Sequence, residues 1–160
     1  SRGRALSASE RTYCERDSPE LAEIRRGALM HDIGKLGVSL EILCKAGTLD
    51  DAEWDQMYLH SELGYSMFKD IPPLMGTAEM ILAYHERWDG NGYPRGLTGE
   101  ERLLGARIFA LGDAWGAMTS NRPYRDALAF DVVVAEVRSN AGTQFDPQSL
   151  WLRGYDEEAA

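Results

Sequence analysis

Histidine is scarce in this sequence, and all three copies, His31, His60 and His85, fall in segments with helical periodicity. Cysteine is scarcer still. Cys14 and Cys44 form no C-x-x-C pair and no disulfide framework, so free, buried thiols in a reducing cytoplasm are expected. No apolar run approaches the roughly 20 residues that span a bilayer, and no charged-then-apolar opening marks a secretory signal. Membrane contact from this segment is therefore not expected. Basic residues are in deficit: 17 Lys and Arg stand against 26 Asp and Glu, for a net charge of -9. That balance argues against DNA or RNA as a partner, because polymer binding needs a basic face. It leaves room for a small anionic substrate, since bound divalent metals would dominate the local field. Strand alternation is also missing, and the expected fold is all-α.

The 160 residues suit a single domain, 1–160. Ser18-Pro19-Glu20 is a helix start, with a capping hydroxyl, proline in the first turn and an acid at the positive end. Leu21, Ile24, Ala28 and Leu29 make its apolar stripe, and His31 lies at its end before Gly34 and Gly37 break it. Thr48-Leu49-Asp50-Asp51 resembles a capping box opening a second helix. There Trp54, Met57, Tyr58 and Ser61 line one face with His60 beside it, and Gly64 leaves that face small enough for close packing. Ile71-Pro72-Pro73 ends it. Leu74, Ala78, Ile81, Leu82 and His85 recur at helical spacing. Residues 86–101 carry Gly90, Gly92, Gly96, Gly99 and Pro94, too many breakers for a helix. Further helices are expected from about Leu103 to Thr119, around Asp113, and over Phe130 to Val137.

An adjacent His31-Asp32 can give one metal an imidazole nitrogen while the carboxylate reaches a second. Helices that project His and carboxylates inward are a recurrent way to build such a centre. A single histidine on an apolar face is more often a satisfied structural residue. Here all three histidines occupy such positions, and Asp113 sits among Ile108, Phe109, Leu111 and Trp115, where burial without a partner is costly. A nitrogen and oxygen donor set without thiolate suits iron, manganese or another first-row divalent ion. Lys35 is either a phosphate-binding point charge or a helix C-terminal charge. Arg122 and Arg125 are either forked phosphate ligands or solvated surface arginines. The glycine-rich segment is either a plain surface loop or, through Trp88, Tyr93 and Pro94, a cover for a base.

In order along the chain, HDIGKLGV, HSELG, HERWDGNGYPRGL, TSNRPYR and GTQFDP resemble the HD-GYP family of HD-domain phosphohydrolases, from about Gly27 to Pro147. The resemblance implies an HD-domain-like helical bundle with a glycine-rich GYP loop. It implies metal-dependent hydrolysis of cyclic di-GMP to pGpG or GMP in bacterial second-messenger signal transduction. Carried over by motif, His31, Asp32, His60, His85 and Asp113 are expected metal ligands, with Asp32 bridging two divalent ions, iron or manganese. His31, Asp32 and Lys35 are the expected catalytic residues, and Lys35, Tyr93, Arg122 and Arg125 the expected substrate contacts. The family also implies an upstream receiver or sensory domain and a cytoplasmic location, and leaves a homodimer open.

Three departures bear on this. Tyr84 precedes His85 where the family has a second histidine, Gly116 follows Asp113 where it has an aspartate, and residues 1–30 contain no histidine where its earliest ligand lies upstream of the HD pair. A dinuclear centre is thus expected over a trinuclear one. The chain opens on Ser1 and is expected to be excised from a longer protein, lacking the start of its first helix. The departures also permit a different class of function, a degenerate module that binds cyclic di-GMP or a protein partner without turnover.

Overall fold

A computed structural model describes residues 18–121 and 125–150, and they divide between two compact units, Ser1–Leu82 and Ala83–Ala160. Cys14 and Arg122 lie outside the described residues, and Cys44 is a free thiol that is exposed, where a buried one was expected. Helices carry the fold. No β-strand forms among the described residues; isolated bridges pair Asp89 with Thr98 and Ala141 with Phe145. No described helix is long and apolar enough to cross a membrane.

The first unit opens with α1 (Pro19–Met30), whose start follows the local chemistry: Ser18 caps it by accepting from the Leu21 amide at 3.1 Å. The stripe expected along α1 is corrected at one end. Ala28 and Leu29 are exposed, because the inward position is Gly27, against which the Met80 methyl packs. A 3-10 turn (Ile33–Gly37) and the short α2 (Leu40–Leu43) lead to α3 (Asp51–Phe68). The capping box lies two residues later than expected. Asp50 accepts from the Glu53 amide at 2.9 Å, and Glu53 reaches back to the Asp50 amide at 2.8 Å. Glutamate at the third helical position has the reach that Asp51 lacks.

The buried face of α3 is His60, Ser61 and Gly64, while Trp54 and Tyr58 stack on each other at the surface, their rings 5.4 Å apart. That small face admits the 3-10 turn at backbone distance: a Cβ on Gly34 would stand 1.8 Å from the His60 carbonyl oxygen and 2.7 Å from the Gly64 nitrogen. After a second 3-10 turn (Pro72–Leu74), α4 (Met75–Ala83) supplies the buried Ala78, Met80, Ile81 and Leu82. The helix stops at Ala83, so His85 stands in the turn beyond it and not on the helical stripe.

In the second unit, residues 84–103 form a long loop with a cis Tyr93–Pro94 peptide and a 3-10 turn at Gly99–Glu101. It runs into α5 (Leu104–Thr119), which is followed by α6 (Phe130–Ser139). Leu111 of α5, Val133 and Val137 of α6 and Phe145 form the core, with Trp115, Met118, Leu128 and Leu150 packed around it. Val133 and Val137 thus serve a helix, turned inward at four-residue spacing, while Val132 is exposed.

Candidate functional site

In the first unit, the close seat of the 3-10 turn on α3 brings the HD pair to His60. His31 caps α1, and its Nδ1 lies 2.9 Å from the Ala28 carbonyl oxygen; His60 Nδ1 lies 2.6 Å from that of Met57. A carbonyl only accepts, so each Nδ1 carries the proton and donates it. In a neutral ring, Nε2 then holds the lone pair. Backbone bonds of this kind fix the tautomer and orientation of metal-ligating histidines. His60 is 2% exposed, and its pKa is lowered, chiefly by burial, which keeps its imidazole neutral.

Asp32 is half-exposed between these groups. Its Oδ1 lies 3.5 Å from His31 Nε2, and its Oδ2 accepts from Lys35 Nζ at 2.8 Å. Burial pushes the Asp32 carboxyl up. The Lys35 hydrogen bond and the charges of His31, Lys35 and His60 more than offset this, and the pKa lies below the usual value. Nitrogen and oxygen donors with Nε2 presented fit a divalent first-row ion in kind. No group of three or more His, Cys, Asp or Glu side chains among the described residues is gathered closely enough to hold an ion. In the first unit one carboxylate oxygen of Asp32 is held by the Lys35 ammonium.

In the second unit, His85 and Asp113 line one cavity of about 80 Å³, together with Tyr84, Glu86 and Gln144. Tyr84 is buried and packs against Phe109, ring centroids 5.4 Å apart. It is a core residue at the position where the HD-GYP pattern has a second histidine. Tyr93 stacks on His85, centroids 4.7 Å apart and rings within 25° of parallel. Trp88 is likewise engaged, with the Arg107 guanidinium 5.8 Å from its ring centroid. Arg125 donates from Nη2 to the Ala117 carbonyl at 2.7 Å and lines a cleft beside Ala114 and Gln144, which the smaller cavity shares.

Glu86 carries no sequence-based expectation, yet it organises this loop. It is 2% exposed; Oε1 accepts from the Arg95 amide at 2.6 Å and Oε2 from the Leu97 amide at 3.0 Å. Gly92 passes so close that a Cβ there would stand 2.5 Å from the Glu86 Cα. Arg102 is 1% exposed, with Nε and Nη2 lacking hydrogen-bond partners among the described residues. Burial, opposed by the charges of Glu86 and Asp146, lowers its pKa to about 10, so it stays charged at neutral pH. Arg107 donates to the buried Asp146 at 2.9 Å, and Asp146 also accepts from Ser149 and the Gln148 amide. A glutamate directly after a histidine gives no hint of this in one dimension, because burial is decided by the loop that closes over it.

The family model for the HD domain matches residues 1–149, and the chain belongs to the HD domain family. Within that family its motifs and relatives are those of the HD-GYP form. It is 43% identical to the 3'3'-cGAMP-specific phosphodiesterase 3 of Vibrio cholerae over 78% of this chain and 27% of that protein. It is 38% identical to a cyclic di-GMP phosphodiesterase of Thermotoga maritima over 80% of this chain and 35% of that protein. A cyclic di-GMP phosphodiesterase response regulator of Xanthomonas campestris pv. campestris is 37% identical over 84% of the chain and 37% of its own length. The chain thus spans about a third of these relatives. The crystal structure of a cyclic GMP-AMP-specific phosphodiesterase from V. cholerae shares the fold, with a TM-score of 0.60 at 19% identity, covering 87% of this chain and 38% of that one.

Proposed function

We propose that this chain is the hydrolytic part of a metal-dependent cyclic-dinucleotide phosphodiesterase, cleaving cyclic di-GMP to pGpG or GMP. The observation that carries the reading is the pair His31 and His60, each held by a backbone carbonyl at Nδ1 so that Nε2 bears the lone pair, with the Asp32 carboxylate among them. The family is one of metal-dependent phosphohydrolases, and relatives at 37–43% identity are named phosphodiesterases of cyclic dinucleotides. His31, Asp32, His60, His85 and Asp113 would hold two divalent ions, iron or manganese. Such ions, when bound, neutralise phosphate charge and acidify water at neutral pH.

The chain's own residues supply the rest. Lys35 moves from the Asp32 carboxylate to a phosphate oxygen as a point charge, and Arg122 and Arg125 hold phosphate by forked hydrogen bonds. Tyr93 keeps His85 oriented through their stacking. An upstream receiver or sensory domain would regulate the activity in the cytoplasm. Asp32→Ala should abolish both metal retention, read by elemental analysis of the purified protein, and cyclic di-GMP hydrolysis. Unchanged metal content in that variant would defeat the ligand assignment. A second reading, binding without turnover, is favoured by the burial of Tyr84 against Phe109, which puts a core ring and not a second imidazole next to His85. Cyclic di-GMP binding with intact metal content and no product would establish it.

A further inference from the structure

The cleft that holds Arg125 has a volume of about 410 Å³, within the roughly 300–1,000 Å³ range of small-molecule sites. All of its lining belongs to the second unit. Ala114, Ala117, Met118 and Phe145 give it apolar walls; Glu136, Asn140, Gln144 and Arg125 give it polar groups. We infer that this cleft is a purine-base site, with the Glu136 carboxylate selecting guanine over adenine. The inference rests on the cyclic-dinucleotide reading and extends it to base specificity.

Three observations support it. Glu136 is anchored in place: its Oε1 accepts from Asn140 Nδ2 at 3.1 Å, and the same amide nitrogen donates to the Glu136 carbonyl at 2.9 Å. A carboxylate has about four acceptor positions and no donor, so one bond to Asn140 leaves most of its capacity for a ligand. The Gln144 side chain makes no hydrogen bond among the described residues, while its backbone is pinned, the carbonyl accepting from the Trp88 amide at 3.3 Å and the amide donating to the Asn140 carbonyl at 3.1 Å. It is therefore a donor and acceptor on a fixed mount, and it lines both this cleft and the His85 and Asp113 cavity.

Guanine presents two adjacent donors, N1–H and the N2 amine, on its Watson–Crick edge, matching an acceptor-only carboxylate. Adenine presents the N1 lone pair there, which a carboxylate repels. The O6 and N7 acceptors of guanine suit the Gln144 amide, and Met118 and Phe145 offer polarisable and aromatic surface to the ring face. Arg125, in the same lining, supplies the fork for the attached phosphate.

The test is calorimetric titration of GMP and AMP against the wild-type chain and Glu136→Gln, with cyclic di-GMP hydrolysis assayed beside it. The two mononucleotides share their phosphate, so any difference between them belongs to the base. Wild type should bind GMP about tenfold or more tightly than AMP, and Glu136→Gln should remove that preference by weakening GMP alone. Because Gln keeps the acceptor used by Asn140, unchanged thermal unfolding is expected and serves as the folding control. GMP binding that is equal in both proteins, or no wild-type preference, overturns the base site. Discrimination without hydrolysis keeps the base site and removes the enzymatic reading; hydrolysis without discrimination does the reverse.

Discussion

The two units hold their candidate residues by opposite means. In the first, His60 meets the HD turn because side chains are missing: Gly34 lies on the backbone of His60 and Gly64, at a distance no Cβ allows. In the second, the loop beside His85 is held by a buried charge, the Glu86 carboxylate, which accepts two loop amides near the buried Arg102. The first arrangement stores its precision in steric contact and tolerates no added atom. The second stores it in hydrogen bonds and tolerates no lost acceptor.

The comparison can be broken most severely at Gly34. Gly34→Ala should cost about 3 kcal/mol or more, since the neighbours in its way are backbone atoms that cannot rotate aside. Urea unfolding measures it, and a loss below 1 kcal/mol would show that the turn can lift off α3 without penalty. Glu86→Ala should follow, at about 2–3 kcal/mol, because two loop amides lose their acceptor and Arg102 its strongest opposing charge. Hydrogen exchange localises that effect. The Arg95 and Leu97 amides should speed up well before those of α5, and uniform acceleration would deny the carboxylate its specific role. The smallest effect has the opposite sign. Gly116 lies within α5, and a Cβ there would meet nothing within 4 Å, so Gly116→Ala should stabilise by about 0.5–1 kcal/mol through helix propensity. A destabilisation would mean that this glycine, like Gly34, is packed.

Local chemistry was legible in the sequence. Ser18 caps α1 as its hydroxyl and the following Pro19 foretell, and α5 and α6 lie where their periodicity places them. The errors share one cause, since tertiary contacts decide which member of a periodic series turns inward. Gly27 displaced Leu29, His60 and Gly64 turned inward beside Ser61 in place of Trp54 and Tyr58, and the loop ended α4 before its apolar period reached His85. Among the candidate site residues, motif spacing marked His31, Asp32, Lys35 and His60, which the fold gathers, and His85 and Asp113, which share a cavity. Glu86, Arg102 and Asp146 could not be read, because a charged residue looks solvated until its burial is known.

The amide clamp has an evolutionary corollary. Glu86 recognises positions 95 and 97 through their backbone N–H groups. Any residue except proline preserves the donor. At Leu97 the loop can therefore change its side chain, altering the bulk it displays, and still keep the amide that ties it to Glu86.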